Sequence, residues 1–344
     1  MRGNIILYGC GGAGTNIVAD IKNDLLALGE GFSTFETRII DTTNKTVQKY
    51  EDLQSNFYKI ESTKITNSGI DGAAGERKNL DLVKDIQSSL MKYMDEVVKA
   101  NNKNDYHVVI FSASGGSGSV IGSILVSLML KQNYNVIPVV VGDESSLLNI
   151  KNTINTIVGL NKIAKQNKAA IGVVLFNNSI DGITTPKYEK EVNRSIKAWL
   201  SVLSMFVSGT MRDIDQQDMN NFIMPTRYKS FEVSPGIYKL GSTVGIVDDP
   251  NTILVRTAIT DKNKNYEINV PVLHNKVGTA DENHIEVFGE ESFPLYLTLR
   301  KDEIAKDVEK LQKTHDKLEK LKHVESSILD TLEDSLEDDS GLVL

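Results

Sequence analysis

Residues 112–119 read Ser112-Ala113-Ser114-Gly115-Gly116-Ser117-Gly118-Ser119, and they directly follow the apolar run His107-Val108-Val109-Ile110-Phe111. The run predicts a buried strand, and the apolar stretch from Val120 to Leu130 predicts a helix leaving the loop. Glycines at 115, 116 and 118 let the backbone come close to a ligand, while Ser114, Ser117 and Ser119 add hydroxyl donors. A helix start contributes unpaired N–H groups and a partial positive charge. Strand, small-residue loop and helix in series thus make an anion cradle suited to phosphates. The loop is neither a Walker A motif nor a G-x-G-x-x-G fingerprint. A plain tight turn has the same composition, so the loop alone leaves both readings open.

A second glycine loop, Gly9-Cys10-Gly11-Gly12-Ala13-Gly14, lies between the apolar strand expected over 4–8 and a helix expected over 17–28. Gly9, Gly11 and Gly14 satisfy G-x-G-x-x-G, and the strand expected over 37–40 ends at Asp41, about where a ribose-binding acid sits in dinucleotide folds. An NAD(P)-dependent oxidoreductase is therefore a competing reading. Such an enzyme does not need the loop at 112–119, and the chain offers no Tyr-x-x-x-Lys set or catalytic histidine near a substrate domain. Two loops favour a nucleotide whose phosphates are gripped from several sides. A third small-residue loop spans 67–78 and carries Ala74, Gly75, Arg77 and Lys78. The basic pair reads either as a solvated helix start or as a lid toward a terminal phosphate.

Three glycine-rich loops in this order resemble the tubulin/FtsZ superfamily of GTP-binding filament proteins. The family signature Gly-Gly-Gly-Thr-Gly-Ser/Thr-Gly is matched here by Ser114-Gly115-Gly116-Ser117-Gly118-Ser119-Val120, which keeps the central glycines and a hydroxyl at the Thr position. Ser114 and Val120 replace the outer glycines, a drift similar to that of divergent phage and plasmid tubulin-like proteins.

The stretch from about 187 to 209 carries Val192, Ile196, Trp199, Leu200, Leu203, Phe206 and Val207 at helical spacing, which predicts a buried core helix. In the family such a helix joins two domains, meets the guanine base at its start and leads into an acidic loop at its end. The resemblance places Tyr188 and Asn193 at the base and Asp213, Asp215 and Asp218 in the acidic loop. Asn193 offers both a donor and an acceptor to guanine. Twenty-two residues separate Asn193 from Asp215, roughly 33 Å of helix at 1.5 Å per residue, so the two cannot serve one nucleotide. In a head-to-tail filament they serve two, with Asp215 and Asp218 as the catalytic pair that orients water against the neighbour's γ-phosphate. The alternative is that these acids cap the helix that follows.

The resemblance also implies a nucleotide site formed by Gly11, Gly12, Ala13, Asn16, Thr42, Ala74, Gly75, Arg77, Ser114, Gly115, Gly116, Ser117, Gly118, Ser119 and Asn177. A ribose contact is expected near Glu144, in the loop after the strand over 136–141. GTP or GDP is the implied ligand, with Mg²⁺ held by phosphates and water and no protein metal ligand. A tubulin-like protein that binds nucleotide without cycling it is the third reading, and Asp215 with Asp218 argues against it.

At 344 residues the chain has room for two domains. The expected fold class is α/β: a doubly wound, mostly parallel sheet over 1–184, a connecting helix over 185–212, a smaller mixed sheet over 213–300, a C-terminal helix over 301–324 and an acidic tail over 325–344. Strands are expected at 236–240, 252–256, 267–272 and 294–299. A net charge of −8 argues against direct nucleic-acid binding. One cysteine, five scattered histidines, no membrane-length apolar run and no signal-peptide pattern fit a cytoplasmic protein without a structural metal. The tail mixes seven acids with Ile328, Leu329, Leu332 and Leu336. It reads either as a solubilising disordered end or, by resemblance to phage tubulin-like proteins, as an arm that docks on the next subunit of a homopolymer.

Overall fold

The N-terminal apolar run forms β1 (Ile5–Cys10), a strand with every residue buried. A computed structural model of the chain describes residues 3–62, 80–98, 105–180, 183–211, 213–223, 235–241, 253–260, 274–300 and 303–338. α1 (Gly11–Leu26) follows without a break, then β2 (Phe35–Asp41), the short α2 (Glu51–Gln54), β3 (Phe57–Lys59) and α3 (Leu80–Glu96). Next come β4 (Tyr106–Ser112), α4 (Ser117–Lys131), β5 (Asn135–Gly142), α5 (Leu147–Asn167) and β6 (Ile171–Asn177).

These six strands are parallel and lie in the order β3-β2-β1-β4-β5-β6. That is the doubly wound order whose direction reverses between β1 and β4, where open α/β sheets hold ligands at the strands' carboxyl ends. Alternate residues of β1 feed two cores. Ile5 and Leu7 pack with Val18 and Ile21 of α1, whereas Ile6, Tyr8 and Cys10 pack with Ile86 of α3 and Ile121 of α4.

After the small hairpin of β7 (Ser179–Ile180) and β8 (Ile183–Thr184), α6 (Pro186–Ser208) is the connecting helix. Its boundaries follow from its sequence. The Thr185 side chain caps the Tyr188 N–H, Pro186 opens the first turn, and Gly209 closes the helix in the left-handed region at φ +67°. The predicted stripe Val192, Ile196, Trp199, Leu200, Leu203, Phe206 and Val207 is buried.

α7 (Gln216–Ile223), β9 (Pro235–Gly241), β10 (Ile253–Thr260), β11 (His274–Thr279), α8 (Glu282–Phe288) and β12 (Leu295–Arg300) make up the second half. Its strands form the expected mixed arrangement: β12 is antiparallel to β9 and β10, and β10 is parallel to β11. β9 also pairs with β6 in parallel, so ten strands make one continuous sheet. The strand expected at 267–272 lies outside the described residues.

Two expectations are corrected. α1 starts at Gly11 rather than near residue 17, and α4 at Ser117 rather than Val120. Glycine composition suggested loops, but here the glycines let the first helical turns press onto the sheet: a Cβ on Gly14 would collide with the Ile110 carbonyl, and one on Gly9 would lie 2.8 Å from the Gly14 carbonyl oxygen. The second correction is α9 (Glu303–Asp338), a helix of 36 residues. Ile304, Val308, Leu311 and Leu318 seat it on Ile150, Ile154 and Ile157 of α5. Residues 325–338, expected as an acidic tail separate from the C-terminal helix and read either as a disordered end or as a docking arm, continue this helix.

Candidate functional site

The glycine loops meet at the switch point between β1 and β4. Gly11, at φ +70°, has no room for a side chain: its Cβ would sit 2.6 Å from the Gly118 nitrogen, and a Cβ on Gly118 would sit 2.6 Å from the Cys10 carbonyl oxygen. The N-termini of α1 and α4 are thereby brought side by side. Unpaired N–H groups and two positive dipole ends converge on one spot, which suits a phosphate chain.

The loop between β4 and α4 is braced from both sides. Ser112 Oγ accepts from the Gly115 N–H at 3.2 Å and lies 3.1 Å from Ser114 Oγ. From α5, Thr156 donates to the Ala113 carbonyl at 2.8 Å and Asn152 to the Ser114 carbonyl at 3.3 Å. Ser119, expected to offer its hydroxyl to a ligand, is buried and donates it to the Gly115 and Gly116 carbonyls at 2.7 and 3.0 Å, back-bonding within the first turn. Ser117 is half-buried, with its Oγ 3.4 Å from Thr42 Oγ1. Behind Thr42 is Asp41, whose carboxylate accepts the Thr42 N–H at 2.7 Å. Burial pushes the Asp41 pKa up to about 6, against the opposing hydrogen bonds from Thr42 and Thr43.

Above this floor opens a cleft of about 140 Å³. Ala13, Asn16 and Ile17 of α1 form one wall, Glu189, Val192 and Asn193 of α6 another, and Ser112, Ser114, Val141, Gly142, Asp143 and Asn178 complete it. Asn16 accepts from the Tyr50 hydroxyl at 3.1 Å, and Asn193 donates to Asp20 of α1 at 2.9 Å. Gly12 lies beside Ala13 at the start of α1, half-buried against Thr46.

Three expected rim residues sit differently. Tyr188 is half-buried but is not among the cleft's lining residues. Asn177 turns away, donating to the Glu144 carboxylate and accepting from Ser179, while its neighbour Asn178 lines the cleft. Glu144 is buried beneath the rim and Asp143 faces the cleft in its place. The alternation of β5 and β6 into their loops could have signalled both one-residue shifts. Ala74, Gly75 and Arg77 lie outside the described residues.

At the far end of α6, about 22 Å beyond Asn193 at 1.5 Å per residue, the chain turns through the acidic residues. Asp213 adopts φ +69° and Asp215 is exposed. Asp215 and Asp218 exchange backbone contacts as a helix cap: Asp218 N–H donates to Asp215 Oδ1 at 2.8 Å, and Asp215 N–H points to Asp218 Oδ2 at 3.4 Å. Asp218 is buried and pairs with Lys276 of β11 at 3.0 Å. The capping role weighed from the sequence is therefore present, and Lys276 is a partner that no local pattern announces. No helix among the described residues is long and apolar enough to cross a membrane.

No family model matches the sequence. A phage tubulin-like protein of Pseudomonas phage phiKZ is 22% identical over 63% of this chain, and that match spans 61% of the relative's own length. A phage tubulin-like protein of Pseudomonas phage 201phi2-1 is 24% identical over 82% of this chain and 81% of the relative. Among solved structures, the phage tubulin PhuZ bound to GDP superposes with a TM-score of 0.74 at 16% identity, covering 93% of this chain and 92% of that one. A TubZ protofilament from bacteriophage PhiKZ gives 0.72 at 20% identity, covering 94% and 93%. The parallel sheet, the paired helix starts at its switch point and the long connecting helix are thus the fold of these solved phage tubulin structures, and in sequence the chain is similar to phage tubulin-like proteins.

Proposed function

We propose that this chain binds GTP in the cleft between α1, the loop from β4 to α4, and α6, assembles head to tail into filaments, and hydrolyses the nucleotide across each subunit contact. One observation carries the proposal: α6 faces the cleft through Glu189, Val192 and Asn193 and runs on to Ser208, about 22 Å further at 1.5 Å per residue, before the chain turns through Gly209 to the acidic residues at Asp213, Asp215 and Asp218. Only a second subunit can bring an acidic turn to an occupied cleft. The GDP-bound and protofilament forms of the structural neighbours support both parts.

In this account the N–H groups at the starts of α1 and α4, with Ser114, Ser117 and Thr42, hold the phosphates. Asn16, Asn178 and Asn193 face the nucleoside, with Tyr188 and Asn177 flanking that end. The turn at Asp215 and Asp218 orients the attacking water, so that catalysis is positioning and electrostatics. Mg²⁺ enters with the nucleotide and is held by its phosphates and water. The resemblance to phage proteins extends the proposal to filaments that position phage or plasmid DNA in a bacterial host's cytoplasm, through an adaptor rather than by direct nucleic-acid contact.

The β3-β2-β1-β4-β5-β6 order is shared with dinucleotide-binding folds, which keeps the oxidoreductase reading as the alternative. Competition against a fluorescent GTP analogue tests the two. Displacement by GTP and GDP but not by ATP or NADH is expected; displacement by NADH alone would favour the dehydrogenase.

A further inference from the structure

Three carboxylates, Asp213, Asp215 and Asp218, fall within six residues. Packed on one turn they repel one another, and something must hold them in a fixed arrangement. β11 does so at three places. Lys276 Nζ lies 3.0 Å from Asp218 Oδ2, Thr279 donates to Asp213 Oδ2 at 3.4 Å, and Gly278 leaves just enough room for Met211 and Ile214 to pack against its backbone.

The two catalytic candidates differ in access. Asp218's side chain is 13% exposed and already engaged by Lys276, whereas Asp215 is exposed. Asp218 reaches Asp215 through the cap, its N–H on Asp215 Oδ1 at 2.8 Å. The hydrogen bond that the Lys276 ammonium donates to Asp218, then the Asp218 charge, then those of Asp215 and Asp213, raise the Lys276 pKa, so the ammonium senses all three acids.

On the proposed filament GTPase reading, we infer that Lys276 is a positioning residue for hydrolysis: by pairing with Asp218 it fixes the first turn of α7 and aims Asp215 at the neighbouring subunit's γ-phosphate. Asp215 is then the single carboxylate that meets the attacking water, and Asp218 acts through it. A charge-locked cap of this kind loses orientation, not stability alone, when one partner is removed.

The test uses the wild-type chain, K276M, K276R, D218N and the K276M/D218N double variant, with Trp199 fluorescence confirming folding. K276M is expected to lower phosphate release per polymerised subunit about tenfold while the GTP concentration at half-maximal rate changes by less than about twofold. K276R should restore release to within about threefold, since the guanidinium also pairs with a carboxylate. The K276M/D218N double variant should be no worse than D218N, because the two act as one unit. Amide exchange should quicken in the peptide covering 213–223 of K276M monomer, a readout that does not depend on nucleotide turnover. An active wild type beside a K276M with unchanged turnover and unchanged exchange would overturn the assignment of Lys276 alone. A wild type that hydrolyses no GTP would overturn it together with the filament GTPase reading.

Discussion

Gly11 and Gly118 touch backbone to backbone: neither position has room for a Cβ, which would fall 2.6 Å from main-chain atoms of the other loop in each case. The contact sets the spacing of the two helix starts and therefore the width of the phosphate floor. Gly118→Ala should lower stability by about 1–3 kcal/mol through overpacking and weaken GTP binding at least about tenfold. Urea unfolding followed at Trp199, with nucleotide titration, measures both. Gly159, inside α5, is the control, because a Cβ there would meet nothing within 4 Å. At that position alanine should stabilise by about 0.5–1 kcal/mol and leave binding unchanged.

His107 and Asp41 predict opposing pH responses. Burial lowers the His107 pKa to about 4, so the unfolded chain takes up a proton first and stability falls as pH drops through the window from 6.5 to 4. Burial raises the Asp41 pKa to about 6, so the folded chain takes up that proton first and stability is regained as pH drops through 6. Between pH 7 and 5 these terms amount to a loss of about 2 kcal/mol and a gain of about 1 kcal/mol. Asp41→Asn should therefore steepen the acid loss of stability relative to wild type by about 1 kcal/mol, measured by urea unfolding at both pH values. An unchanged slope would contradict the burial of the Asp41 carboxyl.

Cys10 is fully buried in the strand beneath the phosphate floor, and burial pushes its thiol pKa far up. A disulfide reagent at neutral pH should leave it unmodified in the folded protein and react with one equivalent in urea. Rapid labelling of the native chain would place Cys10 at the surface instead.

Much of this arrangement was legible in the sequence. The apolar run 107–111 foretold β4, and the helical spacing of the stripe from Val192 to Val207 foretold α6. The early start of α1 was not legible, because Gly9 and Gly14 read locally as loop formers and only packing against Ile110 makes them helix and strand positions. Asn177 and Asn178 differ by one residue, and in extended chain one residue reverses the side-chain direction. Lys276 is 58 residues from Asp218 and sits on a strand that sheet pairing alone brings to α7. The tail's acids suggested disorder, yet Ile328, Leu332 and Leu336 recur at four and the chain continues as helix to Asp338.

The most direct measurement is light scattering recorded together with phosphate release, on wild type and Asp215→Ala, after adding GTP, ATP or NADH. Wild type is predicted to scatter and release phosphate with GTP only. Asp215→Ala should form persistent polymer with phosphate release reduced at least about a hundredfold, because the cleft is intact and the exposed carboxylate of the adjoining subunit is gone. Phosphate release by Asp215→Ala at the wild-type rate, or no GTP-dependent scattering by wild type at any protein concentration, would contradict hydrolysis across the subunit contact.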